Sequence, residues 1–139
     1  MSAKSDAGSV AATIRSMFER FAAHDPHGVE AALHPDCTVW DLFVPELICG
    51  VEARRRFHED DQQQAQARGA LTLNIDDPLI DVWGDTAVAR YFLHFRYEPP
   101  NAISGTVRIT SVLRRTQGEW RIVHHHEGLL PGGVPPVNR

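Results

Sequence analysis

Near its C-terminus the chain reads Trp120-Arg121-Ile122-Val123-His124-His125-His126-Glu127. Imidazole is the side chain that titrates near neutrality, so a histidine run is where acid–base or metal chemistry is first sought. The run predicts a strand: it opens on an aromatic, carries two β-branched residues and follows the turn-like Thr116-Gln117-Gly118-Glu119. Side chains alternate between the faces of a strand. Regular alternation sets Trp120, Ile122, His124 and His126 on one side, with Arg121, Val123, His125 and Glu127 on the other. Two imidazoles at the end of an apolar row suit a pocket wall; a solvated terminal strand is the plain alternative. On this parity His125 and Glu127 face outward or toward a partner subunit.

Three other positions bear on the same chemistry. Asp41 sits beside Trp40, Leu42 and Phe43. A carboxyl buried among aromatics resists ionisation and moves toward the range of a general base; otherwise Asp41 only caps the chain ahead of Pro45. His94, in Tyr91-Phe92-Leu93-His94-Phe95-Arg96-Tyr97, shares a face with Phe92 and Arg96. If that face is concave, His94 meets His124 and His126 across a hollow. Tyr91, Leu93, Phe95 and Tyr97 would then form an apolar row on the convex face, which a homodimer would cover. Ser111 is a small polar group in the row Ile109, Ser111, Leu113 and could donate to a substrate oxygen. His94, His124, His126 and Asp41 could also surround zinc or iron. No local metal motif accompanies them, so neither metal nor cofactor is expected.

The bulk composition bounds these readings. A chain of 139 residues with 42% apolar and 23% charged residues is long enough for one core. The net charge of -4 argues against nucleic acid or an anionic membrane as partner. Cys37 and Cys49 lack metal-type spacing and suit reduced thiols in the cytoplasm. No apolar leader opens the sequence and no stretch is long enough to span a bilayer.

The elements that must position these groups follow from periodicity. Residues 1–8 are expected to be disordered, 9–130 to form one domain, and 131–139, with Pro131, Pro135 and Pro136, to be an extended arm. Val10, Ile14, Met17, Phe18 and Phe21 recur at helical steps, and Asp25-Pro26 opens a short second helix. Cys37 to Phe43 predicts a strand, and Val51 to Ala67 a third helix with Ala53 and Phe57 inward. The rest is β: Leu71–Ile75, Leu79–Trp83, a Gly84-Asp85 hairpin, Thr86–Tyr97, Ser104–Arg115 and the histidine strand. Helices first and strands after make an α+β fold, a cone-shaped, curved antiparallel sheet wrapped around the N-terminal helices. The open end of the cone is the natural ligand site.

This order of elements resembles the nuclear transport factor 2-like superfamily, which includes ketosteroid isomerase and SnoaL-like cyclases. Its carriers are Phe18-Glu19-Arg20-Phe21 ahead of Asp25, Asp36-Cys37-Thr38-Val39-Trp40-Asp41, Gly50-Val51-Glu52, Gly84-Asp85-Thr86-Ala87 and Gly118 to His126. The resemblance implies a cystatin-like α+β barrel. Against ketosteroid isomerase, Asp41 falls on the catalytic base, which in that enzyme faces a Tyr and a protonated Asp. Those two partners become Phe21 and Ser111 here, so that oxyanion hole is absent. Against the association domain of calcium/calmodulin-dependent protein kinase II, the match is Trp120-x-x-Val123-His124-x-His126, and two pocket arginines become His94 and Ser111.

The expectation is a cofactor-independent isomerase, cyclase or dehydratase that abstracts a proton next to a carbonyl of a small apolar or aromatic metabolite. Asp41, His94, His124 and His126 would be catalytic, and Phe21, Trp40, Phe92, Ser111 and Trp120 would bind substrate. The alternative is a ligand-binding or oligomerisation module of the same fold.

Overall fold

The computed structural model describes residues 3–130. The proline-rich arm expected at 131–139 lies outside the described residues. Three helices, α1 (Ala3–Ala22), α2 (Pro26–Ala31) and α3 (Gly50–Ala65), accompany seven strands. The strands are β1 (Leu33–Trp40), β2 (Ile48–Cys49), β3 (Leu71–Ile75), β4 (Leu79–Trp83), β5 (Thr86–Tyr97), β6 (Ile103–Thr116) and β7 (Glu119–Leu129). They form one curved α+β sheet in the order β2-β1-β7-β6-β5-β3, with β4 also on β5. The ends at β2 and β3 do not join, so the cone stays open.

Helix α1 places Val10, Ile14, Met17 and Phe18 in the core, where Ile14 packs with the fully buried Leu113 and Ile122 of the sheet. Apolar residues at three- and four-residue steps leave no other face to bury. The helix begins at Ala3, ahead of the expected start, and the buried Asp6 pairs with Arg115 at 2.8 Å. That pair ties the helix entry to the far end of β6. Asp25 caps α2 by accepting the Gly28 N–H, with Pro26 in the first turn. Helix α3 is mostly polar, and its buried residue is Arg54.

Two expectations about the sheet need correction. Strand β1 starts at Leu33 and ends at Trp40, so Asp41 follows the strand instead of lying within it. Pro35 is accommodated where the pairing register shifts, between Leu33 and Thr38. Second, the sheet is mixed, because β1 runs parallel to β7 while the other pairs are antiparallel. Most of the domain lies between those two strands in sequence, a connection long enough to bring the chain back in the same direction. The hairpin turns fall where glycine predicts them; Gln117 and Gly118 adopt φ of 54° and 80° between β6 and β7.

The faces of β5 are opposite to the expected ones. Tyr91 and Leu93 are buried and Phe95 and Tyr97 half-buried on the inner face, whereas Phe92 and His94 point out. The inner row continues through the fully buried Ala87 and Ala89, while the outer row carries Arg90 and Arg96. Burial of the continuous apolar row decides the parity. Among the described residues no helix is long and apolar enough to cross a membrane. Cys37 and Cys49 are both unpaired.

Candidate functional site

A cavity of about 540 Å³ opens between α1, α3 and the inner face of the sheet. Phe18, Phe21, Phe57, Leu73, Phe95 and Val107 make much of its lining apolar. Polar groups gather on two sides, Asp41, His125 and Glu127 on one wall, and on the other Tyr97 of β5 with Arg54, His58, Asp60, Asp61, Gln64 and Arg68 of α3 and the segment after it.

The residues on the β7 wall are not those regular alternation selects. Leu113 pairs with Ile122 and Val112 with His124, so Val123 is an extra residue with no partner across the ladder. A β-bulge of this kind reverses the facing of everything beyond it. Trp120 and Ile122 point inward ahead of the bulge; past it His125 and Glu127 point inward, and His124 and His126 point out. On the outer face the His124 Nδ1 meets the Thr38 Oγ1 at 2.7 Å, and His126 lies against the half-exposed Trp40. Burial first, then His126, holds the His124 imidazole below its usual range.

The expected constellation therefore separates. Asp41 lines the cavity, but His94 is on the outer face, hydrogen-bonded to Asp76 and Thr106 at 3.1 Å each. The idea that His94, His124, His126 and Asp41 share one hollow is corrected by the two strand parities. Among the described residues no three or more potential ligands converge as a metal site. Of the expected substrate contacts, Phe21 lines the cavity, and Ser111 is fully buried in the wall behind it. Trp40 and Phe92 are on the outer face, and Trp120 is a core residue lying under the Arg115 guanidinium.

What the fold assembles instead is a chain of hydrogen bonds. The Tyr91 hydroxyl lies 2.9 Å from the Ser111 Oγ, which lies 3.0 Å from the His125 Nδ1. The His125 Nε2 is 3.1 Å from the Glu127 Oε2, and the Leu42 N–H donates to the Glu127 Oε1 at 3.1 Å. Glu127 and Asp41 lie close enough for each to affect the other's ionisation, and the Asp41 Oδ2 accepts the Phe43 N–H at 2.9 Å. These bonds link Tyr91 to Glu127 without a break. The Tyr91 hydroxyl bonds Ser111, Ser111 bonds the His125 Nδ1, and the Nε2–H of that ring donates to an ionised Glu127.

Electrostatics separates the two carboxyls. Burial raises Asp41, the Glu127 charge raises it further, and together they push it up to about 6 against the pull of the Phe43 N–H. Burial also works against ionised Glu127, but hydrogen bonding and charge from His125, with the Leu42 N–H and Asp41, bring it below its usual value. Two interacting carboxyls titrate as a pair: the first proton leaves easily and the second stays until near neutrality. A carboxyl that exchanges a proton near pH 6 beside an apolar hollow is equipped for general acid–base work.

Ser111→Ala tests the wall itself. It leaves the buried Tyr91 hydroxyl and the His125 Nδ1 without the group that joins them, and is expected to cost about 1–3 kcal/mol in urea denaturation. An unchanged midpoint would mean that the network does not hold the wall.

Residues 10–130 match the family model described as SnoaL-like domain. The chain belongs to the SnoaL-like domain family. No curated protein matches it. Solved structures similar to this SnoaL-like chain extend the fold assignment. A nuclear transport factor 2-like superfamily protein from Salmonella enterica serovar Typhimurium is 20% identical, with TM-score 0.82, covering 99% of this chain and 100% of its own. A Shewanella frigidimarina protein provisionally assigned as a ketosteroid isomerase is 18% identical, TM-score 0.72, over 88% and 97%. The CamKII hub homology domain of Chlamydomonas reinhardtii is 18% identical, TM-score 0.74, over 90% and 98%. Identities this low speak to fold alone.

Sequence reasoning missed His125, Glu127, Tyr97 and Arg68. Tyr97 was legible as the polar end of the row Tyr91, Leu93, Phe95. The inward turn of His125 and Glu127 had no signal in residue types, because it depends on where β7 slips against β6.

Proposed function

We propose that this SnoaL-like chain is a small cofactor-independent acid–base enzyme, an isomerase, cyclase or dehydratase that removes a proton next to a carbonyl of a cyclic or aromatic metabolite. The observation that carries it is the Asp41–Glu127 pair at the wall of an apolar cavity, backed by His125, Ser111 and Tyr91. Asp41 is the base, and its protonated form returns the proton as acid. Glu127 keeps Asp41 basic by its charge, and His125 keeps Glu127 ionised. The apolar walls exclude water and hold the ring, which supplies orientation.

Proton–deuterium exchange at the α-carbon of cyclic ketones in heavy water, followed by NMR, tests the proposal. Exchange above the buffer rate is expected, with a rising limb near pH 6. Replacing His124 and His126 together with Gln should leave the rate within about twofold, since surface changes of this kind are energetically small. Loss of exchange in that double variant would return the chemistry to the outer face. The second reading, a module that holds a ligand without reacting it, is favoured by Phe21, which cannot donate a hydrogen bond. Ketones that bind but never exchange would select it.

The proposal includes a homodimer through the outer face of the sheet, in a reducing cytoplasm. The inward turn of Tyr91, Leu93 and Phe95 removes the row first expected to form that interface. Trp83 and Leu79 of β4, 61% and 66% exposed, and Phe92, 43% exposed, supply an apolar surface in its place. Mass measurement in dilute solution checks it.

A further inference from the structure

The catalytic reading above leaves the substrate oxygen without a partner, and this inference rests on that reading. The charged groups of the cavity are unequally committed. Arg54 has no donor to spare: Nε and Nη2 both bond Glu30 at 2.9 Å, and Nη1 donates to the Cys37 carbonyl at 2.8 Å. Arg68 gives Nη2 to Asp61 at 2.8 Å and Nη1 to the Tyr97 hydroxyl at 3.2 Å, with its guanidinium 4.7 Å from the centre of the Tyr97 ring. Its Nε–H has no partner, and it is sealed from contact inside the protein. Each guanidinium charge is therefore already matched by a carboxylate, Arg54 by Glu30 and Arg68 by Asp61. The carboxyls are less neutralised, because Asp41 and Glu127 have only His125 between them, and Asp60 lines the cavity with no salt bridge among the described residues.

Tyr97 is different. Its oxygen accepts from Arg68, which leaves its own hydrogen free, and it lines the cavity on the end of β5. We infer that Tyr97 is the hydrogen-bond donor to the substrate oxygen, positioned by Arg68, and that the cavity accepts uncharged oxygen-bearing ring compounds while rejecting their carboxylate counterparts. Burial keeps the phenol proton in place against the pull of Arg68, and Asp61, Asp41 and Glu127 add to that hold. Arg68 polarises the hydroxyl from behind, so the donor strengthens as negative charge builds on the oxygen facing it. A carboxylate ligand would meet a neutral phenol donor, guanidinium groups already paired with carboxylates, and a surplus of carboxyls.

The test pairs two probes of one skeleton, 2-tetralone and tetralin-2-carboxylate, with the intact chain near neutral pH. The ketone is expected to bind at least about tenfold tighter than the carboxylate, because like charges placed together are strongly penalised. Tyr97→Phe should weaken ketone binding about five- to tenfold, leave carboxylate binding unchanged and lower the exchange rate per bound ketone. Arg68→Met, a change in a positioning residue, should raise the ultraviolet-detected phenol pKa of Tyr97 and lower kcat more than it raises KM. Carboxylate binding equal to or tighter than ketone binding overturns the inference, as does a Tyr97→Phe variant that binds ketone normally. Tyr97-dependent ketone binding without any exchange upholds this inference and removes the catalytic one. Failure of both probes to bind overturns both.

Discussion

Asp41→Asn is expected to lower α-proton exchange roughly 10²–10⁴-fold, the usual contribution of a positioned general base. Asn keeps the size of the side chain and can still accept the Phe43 N–H that shapes the turn after β1. What it loses is the site where a proton lands. The same variant should be more stable than the parent at neutral pH. The Asp41 carboxyl is raised in the folded state, from an ordinary value of 3.8 to about 6. Between those values the folded chain holds a proton the unfolded chain has released, so stability falls as pH rises through that window. The favourable contribution is complete below pH 3.8 and gone above about 6. Asn never ionises, so its thermal midpoint should lie above the parent at pH 8 and converge on it at low pH. A variant that is inactive and also less stable at every pH would indicate damage to the fold instead of loss of a base.

Arg54→Met should have the largest effect on folding. The Arg54 side chain is 3% exposed and joins three elements: it pairs with Glu30 on α2, donates to the Cys37 carbonyl on β1 and is anchored in α3. Met fills much the same space and removes every one of those bonds. The Glu30 carboxylate then faces only His58, 3.5 Å away, and the Cys37 carbonyl loses its donor. Breaking a buried pair from one side costs about 3–5 kcal/mol, and the partial exposure of Glu30 places this case toward the lower end. Lys is not expected to rescue it, because a single ammonium cannot span the carboxylate and the carbonyl as the planar fork does. Burial resists ionisation of Glu30, but His58 and Arg54 outweigh it and bring its carboxyl down from 4.5 to about 2. A depressed carboxyl stabilises above its unfolded value and loses that effect as pH falls through the folded one. The stability gap between the parent and Glu30→Gln should therefore be full above pH 4.5 and close toward about 2. Urea denaturation across that range checks both statements.

The elements were legible for definite reasons. Val10, Ile14, Met17 and Phe18 repeat at a spacing only a helix can bury on one side, and Gln117-Gly118 supplies the left-handed backbone of a tight hairpin. Asp41 was legible as a candidate because a carboxyl among aromatics is costly to ionise wherever it lies. The facing of the sheet was less accessible. On β5 both rows carry aromatics, and only pairing with β6 and burial of Ala87 and Ala89 show which row is inner. On β7 a single unpaired residue, Val123, exchanged one His pair for a His–Glu pair. The register of β7 shifts against both β6 and β1, so the bulge depends on distant pairing and no local motif announces it.

The proposed chemistry requires Asp41 and Glu127 to titrate as a coupled pair at the cavity wall. Carboxyl-carbon NMR titration of selectively labelled protein measures it directly. An Asp41 inflection near pH 6 is expected, with Glu127 ionising at lower pH, and the Asp41 inflection should move down in Glu127→Gln. An Asp41 resonance that titrates at an ordinary aspartate value and ignores Glu127→Gln would contradict it.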